Sequence, residues 1–194
     1  MSIVPLVSRC RTSFVLAVRE GDQRYWTYKH PTIGDAYARL VGRETELVTL
    51  YVRGAKVSQL LDEAICGGPA RSGILIPPDL YPALLDRLPK SGVTNEGIRR
   101  FLLHRSGATF LRVFLSRFPS ILSRDSYTQA PIVRDDWASL AVKAAKHQCL
   151  PDEVRTSLVG RLRSHIVDFG DVSFLVGDTG FEAALTEAEH AELL

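Results

Sequence analysis

Apolar residues recur at helical spacing through most of this chain, and the pattern breaks only near the amino end, where two β-rich runs lie close together. The runs, residues 13–18 and 25–28, are separated by the turn-like Glu20-Gly21-Asp22-Gln23, which predicts a β-hairpin. Pro31 suits the first turn of a helix, and Ile33, Ala36, Tyr37, Leu40 and Val41 follow as its apolar face. Further short helices are expected over residues 44–52 and 57–65, the second carrying Val57, Leu60, Leu61 and Ala64 and ending at Cys66-Gly67-Gly68-Pro69.

Residues 68–78 read as a linker, because two glycines and a proline precede a short apolar strand, Ile74-Leu75-Ile76, closed by Pro77-Pro78. Beyond it the periodicity predicts helices over 81–88, 95–103, 109–122, 135–149 and 152–169. The third of these places Phe110, Leu111, Phe114, Leu115, Phe118, Ile121 and Leu122 on one side and Arg112, Ser116 and Ser120 on the other. The fourth shows a narrow stripe of Trp137, Leu140, Ala141, Ala144 and Ala145, and the fifth repeats Val154, Leu158, Leu162 and Ile166 at intervals of four. Thr186-Glu187-Ala188-Glu189 has the form of a capping box opening a last acidic helix. The fold class expected is mainly α with a small β-hairpin.

Composition narrows the function classes only a little. With 194 residues, 45% of them hydrophobic, the chain can bury a substantial core, and 24 basic against 22 acidic residues identify no nucleic-acid or membrane partner. Charge is uneven locally. Lys90, Arg99, Arg100, Arg105, Arg112, Arg117 and Arg124 face the single acid Glu96 between residues 89 and 124, and Arg99, Arg100, Arg105, Arg112 and Arg117 form a candidate interaction surface. Asp178, Glu182, Glu187, Glu189 and Glu192 make the end acidic, so middle and end are expected to pair with each other or with partners. Cys10, Cys66 and Cys149 fit neither a disulfide framework nor zinc spacing and read as reduced thiols. No run approaches the roughly 20 apolar residues needed to span a bilayer, and the cytoplasm is the expected compartment.

Several short motifs touch on chemistry without completing it. Gly68 and Gly73 have P-loop spacing, but Ile74 and Leu75 replace the phosphate-binding lysine and the magnesium-binding hydroxyl, so a linker is the better reading. Asp168-Phe169-Gly170 matches the kinase metal-binding triplet without a glycine-rich loop, strand lysine or catalytic loop, and a helix end explains it better. Asp178-Thr179-Gly180 has the form of an aspartic-protease loop but occurs once, which suits a turn. The histidines at 30, 104, 147, 165 and 190 lack the spacing of a helical zinc site, and His104 and His147 are expected to cap helix ends, where a positive charge is favourable by about 0.3–1 kcal/mol. No metal or catalytic residue is expected.

His30 stands apart. In Tyr25-Trp26-Thr27-Tyr28-Lys29-His30-Pro31-Thr32-Ile33-Gly34-Asp35-Ala36 an aromatic strand delivers a lysine and a histidine to the start of a helix, where unpaired N–H groups and the helix dipole favour an anion. The alternative is that His30 caps the helix or packs on Trp26.

This segment resembles the winged helix that follows the ATPase core in STAND-class signal-transduction NTPases, in particular the prokaryotic branch of conflict and antiphage systems. The similarity continues through Leu50-Tyr51-Val52-Arg53-Gly54 and residues 60–67, and more loosely into residues 171–175 and 185–189. The resemblance implies a winged-helix-like domain over 1–67, a linker over 68–78 and a helical sensor domain over 79–194. It also implies that His30 meets the β-phosphate of ADP, with Lys29 and Thr32 beside it. The Walker A and Walker B core is missing, so the chain resembles the carboxyl half of such a protein, as a fragment, a degenerate product or a separate subunit. The expectation is a non-catalytic regulatory module without a cofactor of its own, meeting ADP or ATP only through an associated P-loop NTPase core and receiving a protein trigger. Two rivals stay open: a winged-helix DNA-binding regulator, with affinity that falls steeply with salt, and an enzyme with an unrecognised polar pocket.

Overall fold

The computed structural model describes residues 15–20, 23–28, 31–69, 72–88, 95–122, 136–170, 172, 175 and 180–194, and the protein is mainly helical. The chain opens with the hairpin of β1 (Val15–Glu20) and β2 (Gln23–Tyr28), antiparallel in a register that pairs Val15 with Tyr28 and Glu20 with Gln23. Two residues after β2, α1 (Pro31–Val41) begins with proline at its first position, where the missing N–H costs nothing. Then come α2 (Thr45–Gly54) and α3 (Val57–Glu63).

The helix expected over 57–65 stops short, because its last residues form a strand. β3 (Ala64–Ile65) pairs in parallel with β4 (Ile74–Leu75). The glycines of this region allow close backbone contact rather than flexibility. A Cβ on Gly68 would stand 2.3 Å from the carbonyl carbon of Arg105, and one on Gly107 would stand 2.3 Å from the carbonyl oxygen of Gly67. Gly73, at φ +142°, lies against the carbonyl oxygen of Glu63. Ile74 and Ile76 are fully buried, so the segment expected to be a linker is packed into the core on its far side.

A 3-10 turn (Pro78–Leu80) leads into α4 (Tyr81–Leu85), shorter than the helix expected over 81–88, and α5 (Asn95–Arg105) and α6 (Ala108–Arg117) follow. The continuous helix expected over 109–122 breaks at Phe118, whose φ of −130° and ψ of 62° leave the helical region because Pro119 follows. The chain resumes as a 3-10 turn, Pro119–Leu122, so Ile121 and Leu122 are buried all the same. Next are α7 (Asp136–Lys146), α8 (Asp152–Phe169), a 3-10 turn (Phe181–Ala184) and α9 (Glu187–Leu193). Thr186 and Glu189 form the expected capping box, the Thr186 hydroxyl accepting from the Glu189 N–H and the Glu189 carboxylate accepting from the Thr186 N–H.

Two hydrophobic cores organise the described residues. The first runs from Ala38 through Phe101, Phe110 and Phe114 to Leu122, and Tyr81 and Phe101 each meet Phe110 edge-on at 4.9 and 5.6 Å. The second gathers Trp137, Leu158, Leu162, Leu175, Phe181 and Leu193. Helix α7 serves both, giving Leu140 and Ala144 to the first and Trp137, Ala138, Ala141 and Val142 to the second. Its apolar surface therefore extends well beyond the narrow stripe expected from the sequence.

A long basic side chain closes the end of α2 from a distance. Arg87 donates to the carbonyl oxygens of Val52 and Ala55 at the end of α2, each at 2.5 Å, and so holds carbonyls that the helix cannot satisfy internally. Among the described residues no helix is long and apolar enough to cross a membrane.

Candidate functional site

The hairpin and α1 build the helix entrance that the sequence singled out. Strand β2 ends at Tyr28 and α1 begins at Pro31, so only two residues separate them, and the strand runs directly into the amino end of an 11-residue helix. Lys29 and His30 lie outside the described residues, and Thr32 is in the first turn of α1. The N–H groups of such a first turn point away from the helix along its axis.

Helix α1 itself departs from its expected burial. Ala38 and Val41 are buried, whereas Ala36 and Tyr37 are exposed and Leu40 is 59% exposed. Part of the face expected to pack inward is therefore turned to solvent. On neighbouring α2, Val48, Tyr51 and Val52 are buried while Leu50 is 66% exposed. Adjacent helices thus each display a leucine on the outside.

The five arginines of the candidate surface all make contacts within the chain. Arg99 donates to the carbonyl oxygen of Ile121, Arg105 to that of Ser72 and Arg112 to that of His147, at 3.1, 3.1 and 3.3 Å. Arg100 pairs with Glu96 one turn away at 3.0 Å, and Arg117 pairs with Asp86 at 2.5 Å. The acidic end pairs elsewhere, through Arg155 with Glu189 and Arg163 with Glu192, both at 2.7 Å. Basic middle and acidic end do not meet in any of these pairs; α8 supplies both partners of the tail.

A polar centre that the sequence did not reveal joins α5 to α7. The Lys143 ammonium donates to the carbonyl oxygens of Leu102, Leu103 and Ser106 at 2.5, 2.9 and 2.6 Å, which caps the carboxyl end of α5. Ser106, almost fully buried, donates its own hydroxyl to the Leu102 carbonyl at 2.6 Å. Partial burial lowers the Lys143 pKa to about 8. His147 has its pKa lowered by burial first and then by Lys143 and Arg112, so the cationic cap expected there is disfavoured. The partners of Lys143 lie some forty residues away in sequence, beyond the reach of any local pattern.

Cys66 sits beside this centre, and its N–H donates to the Arg105 carbonyl while its carbonyl accepts from Gly107. Burial pushes its thiol pKa well up, and burial likewise raises that of Cys149 against the opposing pull of Arg112. Both are free thiols. Among the described residues no three His, Cys, Asp or Glu side chains converge in a metal-binding group.

The remaining motifs are structural where described. Asp168-Phe169-Gly170 ends α8, with Gly170 in the left-handed conformation that terminates helices and Phe169 exposed against His165. Asp178 and Thr179 lie outside the described residues, and Gly180, at φ +82°, is packed under Lys146 and begins a 3-10 turn. No protein-family model, curated protein or solved structure matches the chain.

Proposed function

We propose that this chain is a non-catalytic regulatory module that closes on a nucleotide-bound P-loop NTPase core, in the manner of the winged helix of STAND-type proteins, within prokaryotic antiphage or stress signalling. The observation that carries the reading is the short passage from β2 into α1. In the sequence Lys29 and His30 immediately precede this helix and Thr32 follows its first residue, and at a helix amino end backbone N–H groups and the helix dipole favour a phosphate. Leu40 and Leu50, exposed on α1 and α2, supply apolar surface for the partner. The nucleotide is held by the partner, and this chain senses it. The helical remainder of the chain is the part that receives the trigger.

The rival reading as a DNA-binding regulator has less support. Among the described residues, Arg99, Arg100, Arg105, Arg112 and Arg117 each already hold a carbonyl or a carboxylate of this chain, which leaves that middle a weaker electrostatic footprint.

The test uses the purified full chain and a supplied cognate P-loop domain. The chain alone turns over no ATP, it binds that domain, and Leu40→Glu or Leu50→Glu removes the binding while the circular dichroism melt stays unchanged. Steady ATP turnover by the isolated chain, or undiminished binding by both variants, overturns the reading.

A further inference from the structure

Helices α3 and α5 pack against each other and leave a groove of about 400 Å³ between them. That volume lies in the range of small-molecule sites, about 300–1,000 Å³. The floor is apolar, formed by the nearly buried Leu61 and Phe101, and Gly97 contributes no side chain to obstruct it.

The two walls differ in chemistry. Arg100 and His104, one turn apart on α5, stand on one side with Arg105 beyond them. Ser58 and Asp62, also one turn apart, stand on α3. Arg105 is anchored by its contact with the Ser72 carbonyl, whereas Arg100 pairs with Glu96, and both members of that pair are about 70% exposed, at 67% and 71%. An ion pair so open to water is worth little and yields to a stronger anion.

A guanidinium beside an imidazole suits a phosphate oxygen array, which takes charge-assisted and forked hydrogen bonds from arginine. The Asp62 carboxylate and Ser58 hydroxyl across the groove suit hydroxyl or amino groups of the same ligand. The acids decide the size of the ligand. A nucleic acid would bring further phosphates against Asp62 and Glu96, whereas a molecule with a single phosphate at one end uses both walls.

We propose that the groove between α3 and α5 binds a phosphorylated small molecule of the sugar-phosphate or nucleoside-monophosphate class. Arg100 and His104 take its phosphate, and Asp62 and Ser58 take its hydroxyl or amino groups. This holds whether or not the chain closes on an ATPase, because none of these residues belongs to the helix entrance.

The experiment is isothermal titration of the full chain with ribose 5-phosphate, ribose and inorganic phosphate. Ribose 5-phosphate binds saturably and more tightly than inorganic phosphate, and ribose alone does not bind. Arg100→Gln and His104→Gln each weaken ribose 5-phosphate by about tenfold, the loss expected of one charge-assisted hydrogen bond. Asp62→Asn narrows the preference for ribose 5-phosphate over inorganic phosphate. Circular dichroism melts verify that the three variants stay folded, as their exposure on the groove rim requires. Absence of saturable binding in the millimolar range, or wild-type affinity in folded Arg100→Gln and His104→Gln, overturns the proposal. Equal affinity for ribose 5-phosphate and inorganic phosphate, unmoved by Asp62→Asn, reduces the groove to a nonspecific anion patch and overturns it as well.

Discussion

The two hydrophobic cores are built from different materials. The first is filled by large aromatic side chains, Tyr81, Phe101, Phe110 and Phe114, and the helices around it are locked by Arg87 and Lys143 reaching to the carboxyl ends of α2 and α5. The second has Trp137 and Phe181 among aliphatic residues and alanines, and its outer side is held by two arginine–glutamate pairs and a capping box. Packing of large rings is insensitive to charge, while ion pairs and caps respond to pH and salt. The difference predicts that the second region, where ion pairs and a cap hold the acidic helix, opens more readily in acid than the first, which contains Ala38 and Val41 of α1.

Changes aimed at each core in turn sharpen that contrast. The largest effect is expected from Phe110→Ala, which empties the meeting point of three aromatic rings and costs about 3–5 kcal/mol. Because α7 rests on the first core, urea unfolding of this variant should show both regions lost together. Leu162→Ala, at the fully buried centre of the second core, costs about 2–5 kcal/mol if the whole domain unfolds at once. Here hydrogen exchange should quicken in α8 and α9 while α5 and α6 keep their protection; equal quickening everywhere would merge the two cores into one cooperative unit.

Lys143→Met tests the joint between them. It keeps the apolar stem and removes the donor from three carbonyl oxygens, a loss of about 1–3 kcal/mol that should appear as a lowered melting temperature. The smallest change is expected at the acidic end. Glu189→Gln removes the charge that accepts from the Thr186 N–H and pairs with Arg155, costing about 1 kcal/mol.

Acid should reproduce that effect in the unsubstituted protein. The Glu189 pKa is lowered from 4.5, chiefly by the hydrogen bond from the Thr186 backbone and further by Arg155 and the Thr186 hydroxyl, although burial acts against them. A depressed folded value means that the unfolded chain takes up the proton first as pH falls. The stabilisation is therefore complete above about 4.5 and disappears as pH drops through the folded value. Amide exchange followed through that range should show α9 fraying before α5 and α6, and Glu189→Gln should remove the acid dependence.

What the sequence disclosed follows from the range of each interaction. The hairpin, the start of α1, the full length of α8 and the capping box at Thr186 were all legible, because they depend on neighbours within about one helical turn or one tight turn. The break at Phe118 was missed: Pro119 disfavours the helical conformation before it, but the continuous apolar pattern through Leu122 concealed the signal. The strand at Ala64–Ile65 was hidden for a different reason. Its partner is Ile74–Leu75, and an apolar run of that length suits a helix end equally well until the pairing is known. Lys143 carried no signal in the sequence, because its carbonyl partners lie at the end of another helix. In the same way the basic middle suggested a surface for partners, and only the fold reveals that Ile121, Ser72 and His147 offer carbonyls to three of its arginines.

The central claim is that a nucleotide in a partner is felt through the entrance of α1, and it is tested most directly by linkage. The affinity of the full chain for a cognate P-loop domain is to be measured with and without ADP, for the unsubstituted chain and for His30→Ala. The account predicts that ADP tightens the complex by about tenfold, a coupling of about 1.4 kcal/mol, and that His30→Ala abolishes this gain while leaving the nucleotide-free affinity in place. An affinity indifferent to ADP, or an ADP effect of full size in His30→Ala, would contradict it.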